Sequence, residues 1–168
     1  MKIALWLTNE LKNIALGNLK FNLEMTDKFI SEYDHETNTV YISEYVDSVV
    51  GKIGRFMGGR PNDVKHSYRH EIGHAFLNSI WDVTSHKRFI ETFGDVDQDY
   101  NEYGIYRSVL LQHDNNYVSK YAQTHPEEDF AEVFAEYMEA SGCVYEEDSP
   151  EVEKKKDYIE YLIKKYGS

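Results

Sequence analysis

Asn62-Asp63-Val64-Lys65-His66-Ser67-Tyr68-Arg69-His70-Glu71-Ile72-Gly73-His74-Ala75-Phe76-Leu77-Asn78-Ser79-Ile80 is the stretch from which the rest of the chain can be read. The Gly-rich run from Gly51 to Pro61 reads as a loop, and Asn62 or Asp63 then offers a side-chain cap for a helix running to Ile80. Val64, Ile72, Phe76, Leu77 and Ile80 supply its apolar side. On such a helix His70 and His74 lie one turn apart on one face, so their imidazoles can share a single Zn²⁺. Glu71 projects beside that ion, where it can take a proton from a zinc-bound water and hand it to a leaving amine. His66, His86, His113 and His125 have no matching partner spacing and read as surface or structural histidines.

A catalytic zinc needs a third protein ligand and a position left for water. Leu77 and Ile80 stand where the metzincin continuation requires Gly and His, so that class is excluded. A thermolysin-like arrangement, with Glu about twenty to thirty residues on, makes Glu91 and Glu102 candidates. The preferred candidate is Glu128, in the helix opened by Thr124-His125-Pro126. Glu128 and Glu132 are again i and i+4, and small Ala131 and Ala135 permit close approach to the first helix. Glu128 would bind the ion, and Glu132 would accept from the far nitrogen of a ligand imidazole and orient its ring. The competing explanation of these carboxylates is favourable interaction with the helix N-terminus on a solvated face.

At 168 residues and 41% hydrophobic content, residues 1–168 are expected to form one domain around one core. Cys143 stands alone, so neither an internal disulfide nor a thiolate cage is available, which suits a reducing cytosol. The apolar run at the N-terminus is too short for a signal peptide, and no stretch approaches a membrane span, so a cytoplasmic protein is expected. Eighteen basic against 30 acidic residues give net charge −12, which disfavours nucleic acid and anionic membranes as partners. A monomer acting on a peptide or protein substrate is the expectation.

Lys2 to Leu16 has helical spacing, and Leu19, Phe21, Leu23 and Met25 alternate as in a strand. The turn-rich Asp34 to Asn38 leads to a second strand, Thr39 to Ser43. That strand is expected at the sheet edge beside the cleft, where an extended peptide could pair with it. His86 to Phe93 and Tyr103 to Leu111 read as helices, as does the terminal segment from Pro150 to Tyr166. The fold class is therefore α+β, with a small sheet, the helix of the His-Glu-x-x-His motif, and a second helix bringing the third ligand. Asp95, Asp97 and Asp99 resemble the start of an EF-hand loop, but Tyr100 replaces its glycine and Tyr106 its final carboxylate. Ser119 and Ser141 lack a nucleophilic arrangement, and Cys143 reads as a packing residue.

Three blocks then acquire a common meaning: Arg69 to His74, Phe93-Gly94-Asp95 with Asp99-Tyr100, and Tyr121 to Glu132. In that order they resemble the putative zinc-binding metallopeptidase family, over about residues 38–141. His70-Glu71-Ile72-Gly73-His74 and Phe130-Ala131-Glu132-Val133-Phe134-Ala135-Glu136 are also similar to the catalytic domains of anthrax lethal factor and the secreted Pro-Pro endopeptidases. The resemblance implies a zincin-like metallopeptidase domain of gluzincin type, holding one Zn²⁺ on His70, His74 and Glu128. It implies Glu71 as base and Glu132 as support. It also implicates Tyr121 in stabilising the oxyanion or protonating the departing amine. Glu127 departs from the family, which commonly has a bulky aromatic there, and this bears on docking and substrate preference. The reading from another class is a zinc-stabilised, non-catalytic binding or regulatory module, its metal closed by a fourth ligand such as His66 or His125.

Overall fold

The computed structural model describes residues 22–26, 31–43, 64–84, 86–96, 112, 114–139 and 148–167. The expected helix over Lys2–Leu16, the loop from Gly51, the caps Asn62 and Asp63, and the helix over Tyr103–Leu111 lie outside these residues, as do Glu102 and Cys143. The described chain is α+β. Three strands, β1 (Asn22–Thr26), β2 (Glu32–Asp34) and β3 (Thr39–Ser43), precede four α-helices. These are α1 (Val64–Ile80), α2 (His86–Phe93), α3 (Pro126–Glu139) and α4 (Pro150–Tyr166). Among the described residues no helix is long and apolar enough to cross a membrane.

The sheet order is β1-β3-β2, with β1 parallel and β2 antiparallel to β3. Thr39–Ser43 is thus the central strand, which corrects the expectation that it forms the edge; β2 occupies the edge on the cleft side. The reason lies in the turn. Asp34 Oδ1 accepts from the backbone N–H groups of Glu36 (2.9 Å) and Thr37 (3.3 Å), while its Oδ2 accepts from Thr37 Oγ1 at 2.7 Å. Asn38 takes φ 52°, a left-handed conformation that Asn tolerates. The polar run therefore folds back as a hairpin, pairing Tyr33 with Val40, and a three-residue strand appears before it.

The core lies between α1, α3 and α4. Tyr68, Ile72, Phe76 and Ile80 of α1 are buried with Phe130, Val133, Phe134 and Met138 of α3 and Tyr158, Ile159 and Leu162 of α4. Phe89 and Phe93 of α2 complete it, the Phe93 and Phe130 ring centres lying 5.4 Å apart. Two glycines have specific work. Gly94, at φ 107°, ends α2, its N–H donating to Ile90 O at 2.9 Å. Gly73 lets α1 and α3 touch: a Cβ there would lie 3.1 Å from Ala131 Cα and 3.2 Å from Phe134 Cβ.

α4 starts with Ser149 accepting from Val152 N–H at 3.2 Å and Pro150 in its first turn, and ends with Lys164 and Lys165. Its buried Lys155 reaches back to the first turn of α3, with Nζ 2.7 Å from Asp129 Oδ2. The same ammonium donates to Asn116 O at 2.7 Å and lies 4.1 Å from the Tyr117 ring centre. This clamp fixes the polypeptide that enters α3, on which the site depends.

Candidate metal centre

Because α1 is regular through the motif, His66, His70 and His74 recur at successive turns on one face. The close crossing at Gly73 brings Glu128 and Glu132 of α3 against that row. His70 Nε2 lies 3.1 Å from His74 Nε2 and 3.0 Å from Glu128 Oε2, and His74 Nε2 lies 3.4 Å from the same oxygen. These atoms form a triangle whose donor set could hold a metal ion. Tetrahedral Zn²⁺, with bonds of about 2.0–2.1 Å, requires ligand-to-ligand edges of about 3.3–3.4 Å. The observed edges come close to that.

The protonation pattern sharpens the fit. His70 Nδ1 is 2.9 Å from Glu132 Oε1, and a carboxylate can only accept, so the hydrogen of a neutral imidazole resides on Nδ1. His70 Nε2 is then a bare lone pair aimed at the lone pairs of Glu128. Glu128 Oε2 is itself buried and receives no hydrogen bond of ordinary geometry. Atoms so arranged repel unless a proton or a metal cation lies between them. Without a metal a proton would take that place: burial pushes the His70 imidazole towards neutrality, but the adjacent carboxylates of Glu128 and Glu132 outweigh it and hold its pKa well above the usual value. Burial would raise the Glu128 carboxyl, yet His70 and His74 hold it well below the usual range. Both directions describe a pocket that favours positive charge.

The triangle faces a cleft of about 550 Å³ lined by Tyr33, Glu71, His74, Trp81, Tyr121 and Glu128 among others. The buried Glu71 accepts from the backbone N–H of Tyr33 on β2. Its burial raises the carboxyl pKa, with His70 and His74 opposing. The Tyr121 ring centre is 5.8 Å from that of His70, and burial followed by the Glu128 charge raises its phenol well above the usual pKa.

A family model described as "Putative zinc-binding metallo-peptidase" matches residues 26–163. The chain belongs to this family. Curated relatives include an uncharacterised protein of Mycobacterium bovis and uncharacterised proteins of two Mycobacterium tuberculosis strains. Each is 37% identical over 82 residues, which cover 42% of this chain and 22% of the relative. The match therefore spans about a fifth of those longer proteins. No solved structure matches.

In this member of the family the structure brings His70, Glu71, His74, Tyr121, Glu128 and Glu132 together. It leaves the alternative Glu91 on the exposed side of α2, its carboxylate 3.8 Å from Lys87 Nζ. His66, read from sequence as a lone structural histidine, instead lies with Nε2 3.2 Å from Glu132 Oε1, and its i−4 spacing from His70 was the available signal. His125 is turned to its own helix start, Nδ1 accepting from Glu127 N–H at 3.2 Å. Ser119 donates to Glu132 Oε2 at 2.7 Å. No local pattern marks that serine, since it meets Glu132 only through the fold of the segment before α3.

Proposed function

We propose that this chain is a zinc-dependent peptidase of zincin-like fold and gluzincin type, one domain binding one Zn²⁺ and acting as a monomer on a peptide or protein. The observation that carries the reading is the triangle of His70, His74 and Glu128 opening onto a cleft that Glu71 and Tyr121 also line. Zn²⁺ held there supplies a Lewis acid that acidifies water and polarises a carbonyl. Glu71 accepts the proton of the attacking water and delivers it to the departing amine. Tyr121, with its phenol kept protonated, donates a hydrogen bond to the developing oxyanion. Glu132 holds the His70 ring with Nε2 towards the triangle.

The edge strand β2 offers an extended substrate a pairing surface, with Tyr33 and Glu32 on the cleft wall. The similarity to lethal factor and Pro-Pro endopeptidase domains belongs with this proposal. The non-catalytic alternative requires a fourth protein ligand. Among the described residues, no further His, Cys, Asp or Glu joins the triangle, and His66 and His125 have the partners given above. The test is Glu71→Gln: it keeps its zinc and loses the chelator-sensitive cleavage of a peptide library. Undiminished cleavage by this variant would refute the assigned base.

A further inference from the structure

Tyr121 and His70 belong to separate parts of the chain, yet their rings lie 5.8 Å apart, and something must hold the phenol over the cleft. Tyr121 precedes the short 3-10 turn Ala122–Thr124. Thr124 closes this turn from inside, its N–H and Oγ1 both donating to Tyr121 O, at 2.9 and 2.7 Å. Those bonds shape the turn and leave open where it sits relative to α1 and α3. Ser119 supplies that link. Its Oγ accepts from Ala122 N–H at 3.0 Å and donates to Glu132 Oε2 at 2.7 Å. One hydroxyl thereby closes the backbone around Tyr121 and ties it to the carboxylate whose other oxygen orients His70. Glu132 in turn is gripped by groups from two directions, His66 and His70 on Oε1 and Ser119 on Oε2.

We infer that Ser119 is a positioning residue, which couples the placement of the Tyr121 phenol to the Glu132–His70 pair. The inference rests on the proposed role of Tyr121 in peptide hydrolysis. A hydroxyl is required because the position must donate and accept at once. Alanine does neither, whereas threonine can do both. Tyr121 is thus fixed from the face of α3 that also presents the third corner of the triangle.

The experiment uses the zinc-loaded protein labelled with 3-fluorotyrosine, the Tyr121 ¹⁹F line among the 14 tyrosines being assigned by its loss in Tyr121→Phe. Ser119→Ala is expected to move that line while leaving the other tyrosine lines in place, and Ser119→Thr to return it. In turnover, Ser119→Ala is expected to lower kcat about tenfold with little change in KM, as loss of supporting hydrogen bonds does elsewhere. Combining it with Tyr121→Phe should add little to the loss from Tyr121→Phe alone. A Tyr121 line at its wild-type position in Ser119→Ala overturns the inference. If Ser119→Ala fails to fold, Ser119→Cys, a weak hydrogen bonder of similar size, is read by the same criterion. A displaced and rescued line in a protein that cleaves no peptide would leave the placement standing and remove the hydrolytic reading instead.

Discussion

Gly73 is the position where a single methyl group would act on the fold and the site by different amounts. In Gly73→Ala the new Cβ would meet Ala131 Cα at 3.1 Å, Phe134 Cβ at 3.2 Å and Phe134 Cδ1 at 3.3 Å, all inside ordinary contact distance. One of these atoms is backbone and the other two belong to the buried Phe134 side chain, so relief comes from parting α1 and α3 by a few tenths of an ångström. Overpacking of this kind costs about 1–3 kcal/mol. Alanine returns about 1 kcal/mol of helix propensity. The net destabilisation is about 0–2 kcal/mol, or up to roughly 8 °C in Tm for a chain of this size. The site is more exposed to the change. His70 and His74 share α1, so their 3.1 Å edge survives, but the 3.0 and 3.4 Å edges to Glu128 cross the widened interface. Zinc affinity is therefore expected to fall about tenfold or more, measured by competition with a chromophoric chelator, while the melting curve shifts only modestly. Wild-type zinc affinity in Gly73→Ala would refute the claim that this contact sets the third corner.

Lys155→Met leaves the Asp129 carboxylate buried without its counter-charge, which costs about 3–5 kcal/mol and lowers Tm by roughly 6–20 °C. The double variant Lys155→Met/Asp129→Asn should recover much of this in the same calorimetric scan. Burial works against charged His66, but hydrogen bonds to Glu132 and Glu139 raise its pKa from 6.5 to about 9. A histidine so raised stabilises the fold fully below about pH 6.5 and loses that contribution as pH rises through about 9, an amplitude of at most about 3 kcal/mol. Urea titrations at pH 6 and pH 9.5 should therefore differ more for wild type than for His66→Gln. Equal differences would contradict the assignment.

The long helices were legible because each carries its own signals. Pro126 and the stripe from Phe130 to Met138 mark α3, and Pro150 with Ile159 and Leu162 marks α4. His86 to Phe93 and Thr39 to Ser43 coincide with α2 and β3. β2 was not legible: three residues show no alternation, and its existence follows from the Asp34 turn and from pairing with Val40. The order of strands is non-local, so the sequence suggested the wrong strand for the edge. In the site, i and i+4 spacing sufficed to group His70 with His74 and Glu128 with Glu132, because helical periodicity converts spacing into a shared face. The partners His66 and Ser119 depend on the crossing of α1 with α3, as does the need for glycine at Gly73. Those contacts arise from tertiary packing, and only His66, one turn before His70, leaves a local trace.

On this reading α1 and α3, distant in sequence, share one cation. Calorimetric titration of Zn²⁺ into the metal-stripped wild type and Glu128→Ala tests it most directly. One tight site per wild-type chain, weakened by about a hundredfold in Glu128→Ala, is the predicted result. Equal affinities, or no binding by wild type, would contradict it.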